Sequence, residues 1–343
     1  MKARALVQAV LRGEKTDRYA AGPLAVHFCA RQAGISLREY TLDPHKLAEA
    51  IIAYWETFRP DAVWVSSDTW VTAEAMGAPV AFTAGDTHLC GTGAPAITTL
   101  ADLERLPPPD PLRQGRQPLM LAALREVCRK LGEETFVVGC FDQSPFSLAC
   151  AVGGVEKVMA ATLTAPEFLT ALLDRCTAYT TAYAEAMAAC GPDMLSTGDS
   201  PVIMLGADLY ARFGLPYEQQ VFHALRTRTD CFLSLHNCGD TTAILPGMIH
   251  SGAGVLEVDH LLDLEGACRL VPPDLALWGN IDPVDVLCYG GVDDVSGACH
   301  KALDTAASAG RGRFVLSSGC TLAPETPAEN VLALIRAVHE RSL

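Results

Sequence analysis

The sequence has neither a long apolar run nor an excess of positive charge. No uninterrupted apolar stretch reaches the roughly 18 residues that a membrane-spanning helix requires, and the start, Met1-Lys2-Ala3-Arg4, has no signal-type apolar core. The formal net charge of -14 argues against a nucleic-acid or acidic-membrane surface, because such surfaces need a basic patch. We therefore expect a cytoplasmic protein whose partners are other proteins and small molecules.

Regular cysteine spacing is also missing. The 13 cysteines are scattered along the chain, whereas a small secreted disulfide scaffold has them at fixed intervals. Most of them are expected to be reduced thiols in the core. Cys238 and Cys320 are the exceptions, for reasons given below.

Alternating strand-like and helix-like segments predict the fold. Half of the 343 residues are hydrophobic, which is enough for a large core. We predict a single (β/α)8 TIM barrel over 1–343, with a helical extension at the N-terminus and a lid-like excursion near 84–118, where Gly, Pro and Thr are frequent. An open doubly wound sheet is the alternative. The eight predicted strands are 21–28, 61–66, 136–140, 193–198, 232–236, 255–258, 275–279 and 314–318.

Polar side chains follow the predicted strands at their C-terminal ends. In a barrel these ends meet at one mouth, where active sites form, so we expect the polar groups to be close together. Asp68 and Asp199 are candidates for a catalytic role. The full set is Asp68, Asp199, His236, Cys238, Asp259, His260, Asn280, Asp282 and Cys320.

His236 and Cys238 are the start of a candidate metal site. They are two residues apart at the end of a strand, so their side chains project to the same side and can reach one ion. Cys320 ends another strand-like run and is the candidate third ligand. Three protein ligands with an open fourth position are typical of catalytic zinc. Glu257 and Asp199 are candidates to occupy that fourth position until a substrate binds. On spacing alone, the alternative to a metal site is a hydrogen-bonded core histidine with two buried thiols.

Four further segments match landmarks of a known family. They are Leu11-Arg12-Gly13-Glu14, Ser66-Ser67-Asp68 with Ala73-Glu74-Ala75-Met76-Gly77, Gly279-Asn280-Ile281-Asp282-Pro283 and Ser317-Ser318-Gly319-Cys320. Through them, nearly the whole chain resembles the uroporphyrinogen decarboxylase superfamily, and within it the branch of corrinoid-protein methyltransferases that pass a methyl group to coenzyme M. That branch has a His-x-Cys-Gly motif and a distant zinc-binding cysteine, which are similar to His236, Cys238, Gly239 and Cys320.

The resemblance implies a zinc-dependent methyltransferase. A methylated corrinoid (protein-bound methylcobalamin) on a separate carrier protein would dock over the barrel mouth and donate its methyl group to a small-molecule thiol. His236, Cys238 and Cys320 would hold Zn²⁺, which lowers the pKa of a bound thiol. Homocysteine or tetrahydrofolate as the acceptor remains an alternative, although the metal motif favours a thiol.

The decarboxylase itself is another alternative. Arg31-Gln32-Ala33-Gly34 resembles part of its substrate-arginine motif, and Asp68 falls where its essential aspartate would lie. However, the Arg-Pro-x-Trp that should lead the motif is absent, and Cys320 stands where a late histidine is expected. Because a porphyrinogen substrate carries many carboxylates and needs several arginines, these differences favour the methyltransferase.

A cobalamin-like signature occurs in the excursion. Asp86-Thr87-His88-Leu89-Cys90-Gly91 matches Asp-x-His-x-x-Gly, in which the histidine binds cobalt. His88 is therefore a candidate cofactor contact. However, the signature normally belongs to a separate domain, and the chain has no room for such a domain before the third predicted strand. A turn in a Gly-rich loop is the alternative.

Overall fold

The computed structural model describes residues 1–83 and 89–340, and an eight-stranded parallel sheet forms its centre. The strand order is β1-β10-β9-β8-β7-β6-β5-β2, and strands β3 and β4 form a separate antiparallel pair. The backbone N–H of Asp61 donates to the carbonyl of Ala21 at 2.9 Å and joins the two edges. The sheet is thus a (β/α)8 barrel, as predicted. The strands are β1 Ala20–Ala21, β2 Ala62–Val65, β3 Val80–Phe82, β4 Leu89–Gly91, β5 Phe136–Gln143, β6 Met194–Gly198, β7 Phe232–Asn237, β8 Val255–Val258, β9 Ala276–Ile281 and β10 Phe314–Ser318.

Helices surround the barrel and cover its outer face. Asp43 shows how one begins, because its side chain accepts hydrogen bonds from the N–H groups of His45 and Lys46 at the start of α4, and Pro44 occupies the first helical position. The helices are α1 Ala3–Arg12, α2 His27–Gln32, α3 Leu37–Leu42, α4 Pro44–Phe58, α5 Val71–Ala75, α6 Leu100–Arg105, α7 Gln117–Leu131, α8 Pro145–Gly153, α9 Val155–Thr164, α10 Pro166–Ala188, α11 Gly206–Phe213, α12 Leu215–Arg226, α13 Leu245–Met248, α14 Leu264–Leu270, α15 Val292–Ser308 and α16 Ala328–Ala337, with a 3-10 helix at Ser200–Leu205.

Two hydrophobic clusters hold these layers together. The larger cluster packs the surrounding helices against the outer face of the strands. In the smaller, the buried face of α1 meets side chains from inside the barrel, including Trp64 and Trp278, whose rings pack edge to face at 6.0 Å. The predicted N-terminal helical extension is α1, and it packs beneath the barrel interior.

The first predicted strand is wrong over most of its length. Only Ala20–Ala21 is a strand, and α2 begins within the predicted 21–28 segment. Pro23 has no N–H to give to a strand ladder, and Leu24 instead donates its N–H to the hydroxyl of Ser318 at 3.1 Å. The chain therefore leaves the sheet after Gly22.

The excursion near 84–118 contains structure of its own. β3 and β4 pair through Val80 with Gly91, and α6 follows before α7 begins at Gln117.

Among the described residues, no single helix is both long and apolar enough to cross a bilayer. The bent pair α8 and α9 meets that test together, by length and composition only. The cytoplasmic location stays a prediction.

Candidate metal centre and cavity

Two strand ends bring one imidazole and two thiols together. His236 lies near the end of β7 and Cys238 just beyond it, while Cys320 follows β10 by two residues. His236 Nε2 lies 3.0 Å from Cys238 Sγ, and Cys238 Sγ lies 3.2 Å from Cys320 Sγ. The three potential ligand atoms are all within 4.8 Å of one another. The residues predicted as ligands from the sequence are therefore adjacent.

The backbone around these residues is shaped by two glycines. Gly239 has φ +93°, a left-handed conformation that turns the chain directly after Cys238. A Cβ on Gly319 would lie 2.6 Å from the backbone nitrogen of His260, so only glycine allows this close approach just before Cys320. The N–H of Cys238 also donates to the hydroxyl of Ser200 at 3.0 Å. These contacts fix where both thiols project.

Glu257 lies at the opposite side of the imidazole from the thiols. Its Oε2 is 3.6 Å from His236 Nδ1, and its Oε1 accepts a hydrogen bond from the Ser196 hydroxyl at 2.7 Å. The carboxylate is buried, with 1% of the residue exposed. Within the described part of the chain, the ligand cluster contains His236, Cys238 and Cys320 without Glu257. Glu257, the candidate fourth ligand, therefore lies beside His236 Nδ1 and outside the cluster of three ligand atoms.

The electrostatics of the cluster favour the thiolate form of one ligand, Cys238. The hydrogen bond from Cys320 lowers the pKa of the Cys238 thiol and raises that of Cys320, so Cys238 is the thiolate of the pair. Burial alone would lower the pKa of His236, but the hydrogen bond with Cys238 and the charges of Cys238 and Glu257 raise it to about 9. A thiolate is the form of cysteine that binds metal.

The donor set fits zinc. In a tetrahedral site with ordinary Zn–N and Zn–S lengths, a nitrogen and a sulfur lie about 3.6 Å apart and two sulfurs about 3.8 Å apart. The observed separations of 3.0 and 3.2 Å are about 0.6 Å shorter, so the side chains need to open only slightly. One imidazole and two thiolates also match the soft nitrogen and sulfur ligands that zinc prefers.

The three residues line a large cavity at the barrel mouth. Its volume is about 1290 Å³, and Glu257, Asp68 and Asp142 line it as well. Among the described lining residues, Arg31 is the one arginine or lysine. The cavity is therefore poor in the positive charge that a ligand with many carboxylates would need.

Asp68 is at the mouth, but both of its oxygens are already paired. Arg116 binds it with two nitrogens, at 2.6 Å to Oδ2 and 3.0 Å to Oδ1. The Ser67 hydroxyl and the N–H of Trp70 donate to the same carboxylate, at 2.8 Å each. Arg116 continues to Glu74 at 2.7 Å. This network holds the Asp68 carboxylate in place in the loop after β2.

Asp199 lies behind the cavity wall. It is fully buried, and its Oδ1 accepts a hydrogen bond at 2.7 Å from the N–H of Ser147. Burial raises the pKa of its carboxyl and also that of the nearby Glu218 carboxyl. Asp199 is not among the residues that line the cavity, although its neighbours Gly198 and Ser200 are. The structure therefore brings it near the site without exposing it there.

The remaining polar residues of the predicted mouth contact each other and the backbone in the loops after β8 and β9. The Asn280 amide donates to the carbonyls of Asp259 and Leu262, at 3.3 and 3.2 Å. His260 has Asp259 at 2.9 Å from its Nδ1 and Asp282 at 3.4 Å from its Nε2. None of the four predicted residues lines the described cavity. His88, the candidate cobalamin contact, lies outside the described residues.

Sequence reasoning missed Asp142 and Gln143. The predicted strand ended at Cys140, whereas β5 continues to Gln143 and carries both side chains to the cavity. The register between β5 and β6 shifts between Cys140 and Gln143, and Asp142 has φ +64°. The one available signal was the position of an aspartate shortly after a buried apolar run.

Comparisons with known proteins agree on one family. Residues 2–341 match the family model described as uroporphyrinogen decarboxylase (URO-D). A methylcobamide:CoM methyltransferase of Methanosarcina acetivorans is 30% identical over 307 residues, covering 84% of this chain and 87% of the relative. A uroporphyrinogen decarboxylase of Crocosphaera subtropica is 28% identical over 303 residues, covering 86% and 82%. A solved methyltransferase structure from Methanosarcina mazei has a TM-score of 0.86 at 25% identity and covers 99% of both chains.

Proposed function

Because this chain belongs to the uroporphyrinogen decarboxylase family, we propose that it is a zinc-dependent methyltransferase that moves a methyl group from a methylated corrinoid to a thiol. Relatives named methylcobamide:CoM methyltransferase support this activity, and coenzyme M is accordingly one candidate acceptor. The observation that carries the proposal is the cluster of His236, Cys238 and Cys320 at the wall of a deep cavity.

His236, Cys238 and Cys320 would hold the zinc ion. Zinc, when bound, lowers the pKa of a thiol substrate and so supplies a thiolate at neutral pH. The Glu257 carboxylate lies 3.6 Å from His236 Nδ1, where its charge favours the ring orientation that directs Nε2 at the thiols. Ser200 fixes the backbone of Cys238, and Ser196 fixes the Glu257 carboxylate. The chain's own contribution is the orientation of the three donors and of the acceptor sulfur.

The methyl donor would enter on a partner. We propose that residues 1–343 act as one barrel domain and that a corrinoid carrier protein presents its methyl group over the mouth. In the transfer, the acceptor sulfur forms a bond to the methyl carbon while the carbon–cobalt bond breaks and its electron pair stays with cobalt. The thiol proton leaves to solvent. The cavity, with a volume of about 1290 Å³, has room for a small thiol beside the three ligands.

Two observations disfavour the decarboxylase alternative. Asp68, which occupies the position expected for its aspartate, is held by Arg116 in a two-nitrogen ion pair. Arg31 is the only arginine or lysine among the described cavity-lining residues, although a porphyrinogen substrate would bring many carboxylates. A paired aspartate and a cation-poor wall suit a small thiol better.

Zinc content and methyl transfer in two variants test the proposal. We expect Cys238→Ser and Cys320→Ser to lose zinc and to lose thiol-dependent decay of the methylcobalamin visible spectrum, while circular dichroism stays that of the folded barrel. Cys140→Ser is the matched control, because Cys140 lines the same cavity outside the cluster and should keep zinc. Stoichiometric zinc in both cluster variants would contradict the ligand assignment.

A further inference from the structure

Asp142 is a buried carboxylate whose second oxygen lacks a partner. The residue is 3% exposed and lines the cavity. Its Oδ2 accepts a hydrogen bond from the N–H of Thr72 at 3.3 Å, while Oδ1 has no hydrogen-bond partner among the described residues. A buried acceptor without a partner costs free energy, so a group that satisfies it from the cavity would bind favourably.

The backbone of Asp142 is held in an unusual conformation. Its φ of +64° is left-handed, and within the described ranges Arg59, at the end of α4, is the only other non-glycine residue with positive φ. The strand register also shifts here, between Cys140 and Gln143. Bulges and left-handed residues at strand ends re-aim side chains, and they are frequent beside active sites. Asp142 lines the cavity at this distorted position of the strand.

Gln143, the next residue in the chain, supplies a second unpaired acceptor. Its Oε1 is buried and has no hydrogen-bond partner among the described residues, and the residue lines the same cavity. Two unpaired oxygens on consecutive residues of one cavity are complementary to a ligand group with several N–H donors. An ammonium group has three such donors and no acceptor.

The charges around Asp142 also favour a cation. Asp68 and Glu74 share one guanidinium, that of Arg116, and Asp142 adds a third carboxyl group. Burial and the charge of Asp68 raise the pKa of the Asp142 carboxyl well above its usual range, and they outweigh the charge of Arg116, which lowers it. A sulfonate or carboxylate would add to the negative charge here, whereas an ammonium group would offset it.

This wall is next to the metal-ligand cluster. A Cβ placed on Gly198 would lie 3.7 Å from the carbonyl oxygen of Asp142 and 4.0 Å from His236 Cδ2. The backbone of Asp142 is thus within about 8 Å of the imidazole ring, and Gly198, which has no side chain, lies close to both. One small molecule can therefore contact both.

We propose that Asp142 Oδ1 and Gln143 Oε1 form a subsite for an ammonium group, so that the methyl acceptor is a small aminothiol. The inference rests on the proposed function, because it assumes that the acceptor sulfur lies at the cluster of His236, Cys238 and Cys320. It differs from what the names of the relatives suggest, since coenzyme M carries a sulfonate instead of an amine.

Binding of three thiols of matched length tests the subsite. Calorimetry on the zinc-loaded protein would compare 2-aminoethanethiol, 2-mercaptoethanol and 2-mercaptoethanesulfonate. We expect the aminothiol to bind about tenfold or more tightly than the other two, as for a hydrogen-bonded charged group. Asp142→Asn should remove that preference and still fold, because asparagine tolerates the left-handed conformation. Glu325→Gln, which changes an exposed carboxylate on the same cavity, should leave the preference intact.

The outcomes separate this inference from the proposed function. Equal affinity for all three thiols, or tighter binding of the sulfonate in the wild type, would overturn the ammonium subsite and leave the thiol site standing. A second titration uses 2-(methylthio)ethylamine, which has no thiol. Its binding should also depend on Asp142, even if no thiol binds and the proposed function fails. If this amine does not bind, or binds Asp142→Asn equally well, the subsite is refuted.

Discussion

The Glu257→Gln variant tests whether Glu257 binds zinc directly or only supports the ligand His236. Glutamine keeps the shape of the side chain and can still accept the hydrogen bond that Ser196 gives to Oε1 at 2.7 Å. It removes the negative charge 3.6 Å from His236 Nδ1. Loss of such a supporting carboxylate usually weakens metal binding by about 10- to 100-fold, which is about 1.4 to 2.7 kcal/mol. We predict a loss of zinc affinity in that range with full zinc stoichiometry at saturation.

The assay is a competition between the protein and a coloured zinc chelator, which measures the zinc dissociation constant directly. Ser196→Ala is the control: it removes the hydrogen bond to Glu257 but leaves the Glu257 charge beside His236. We expect it to lose less zinc affinity than Glu257→Gln. An unchanged dissociation constant in Glu257→Gln would refute the supporting role. A complete loss of zinc, equal to that of Cys238→Ser, would instead make Glu257 a direct ligand.

Two further predictions concern the buried charges around the site. Arg116→Met leaves the carboxylate of Asp68 buried without its partner, so we expect the free energy of unfolding, measured by urea denaturation, to fall by about 3 to 5 kcal/mol. The double variant Arg116→Met with Asp68→Asn should recover part of that loss, and additive losses from the two substitutions would contradict the pairing. Asp199 and Glu218 have folded-state pKa values raised by burial, so their contribution to stability is present below pH about 4 and is lost as pH rises through the raised values. Asp199→Asn should therefore gain stability relative to the wild type between about pH 4.5 and 8, and a pH-independent difference would refute this reasoning.

Much of the fold was predictable because the apolar runs are local. The strands predicted at 255–258 and 314–318 have the observed bounds, and the others are shifted by a few residues at most, apart from the first. A buried parallel strand is a short apolar run between polar segments, so its position can be recognised in the sequence. The first strand was wrong because Pro23 ends the pairing and the contacts that replace it come from β10, nearly 300 residues away.

The same reasoning explains what could be predicted of the site. His236, Cys238 and Cys320 are a rare combination of residue types at strand ends, and the structure places their ligand atoms together. The roles of Asp68 and Asp199 depend on Arg116 and Glu218, which lie on other helices or loops and give no signal at the aspartates themselves. Asp142 required knowledge of a register shift between two strands, which is a tertiary feature.

The most direct test of the account is X-ray absorption at the zinc edge on the purified protein, with and without the acceptor thiol. The account predicts one nitrogen ligand at about 2.0 to 2.1 Å and two sulfur ligands at about 2.3 Å from His236, Cys238 and Cys320, and a third sulfur when 2-aminoethanethiol is added. A zinc ion surrounded by nitrogen and oxygen alone, or a sulfur count that stays the same with the thiol, would contradict it.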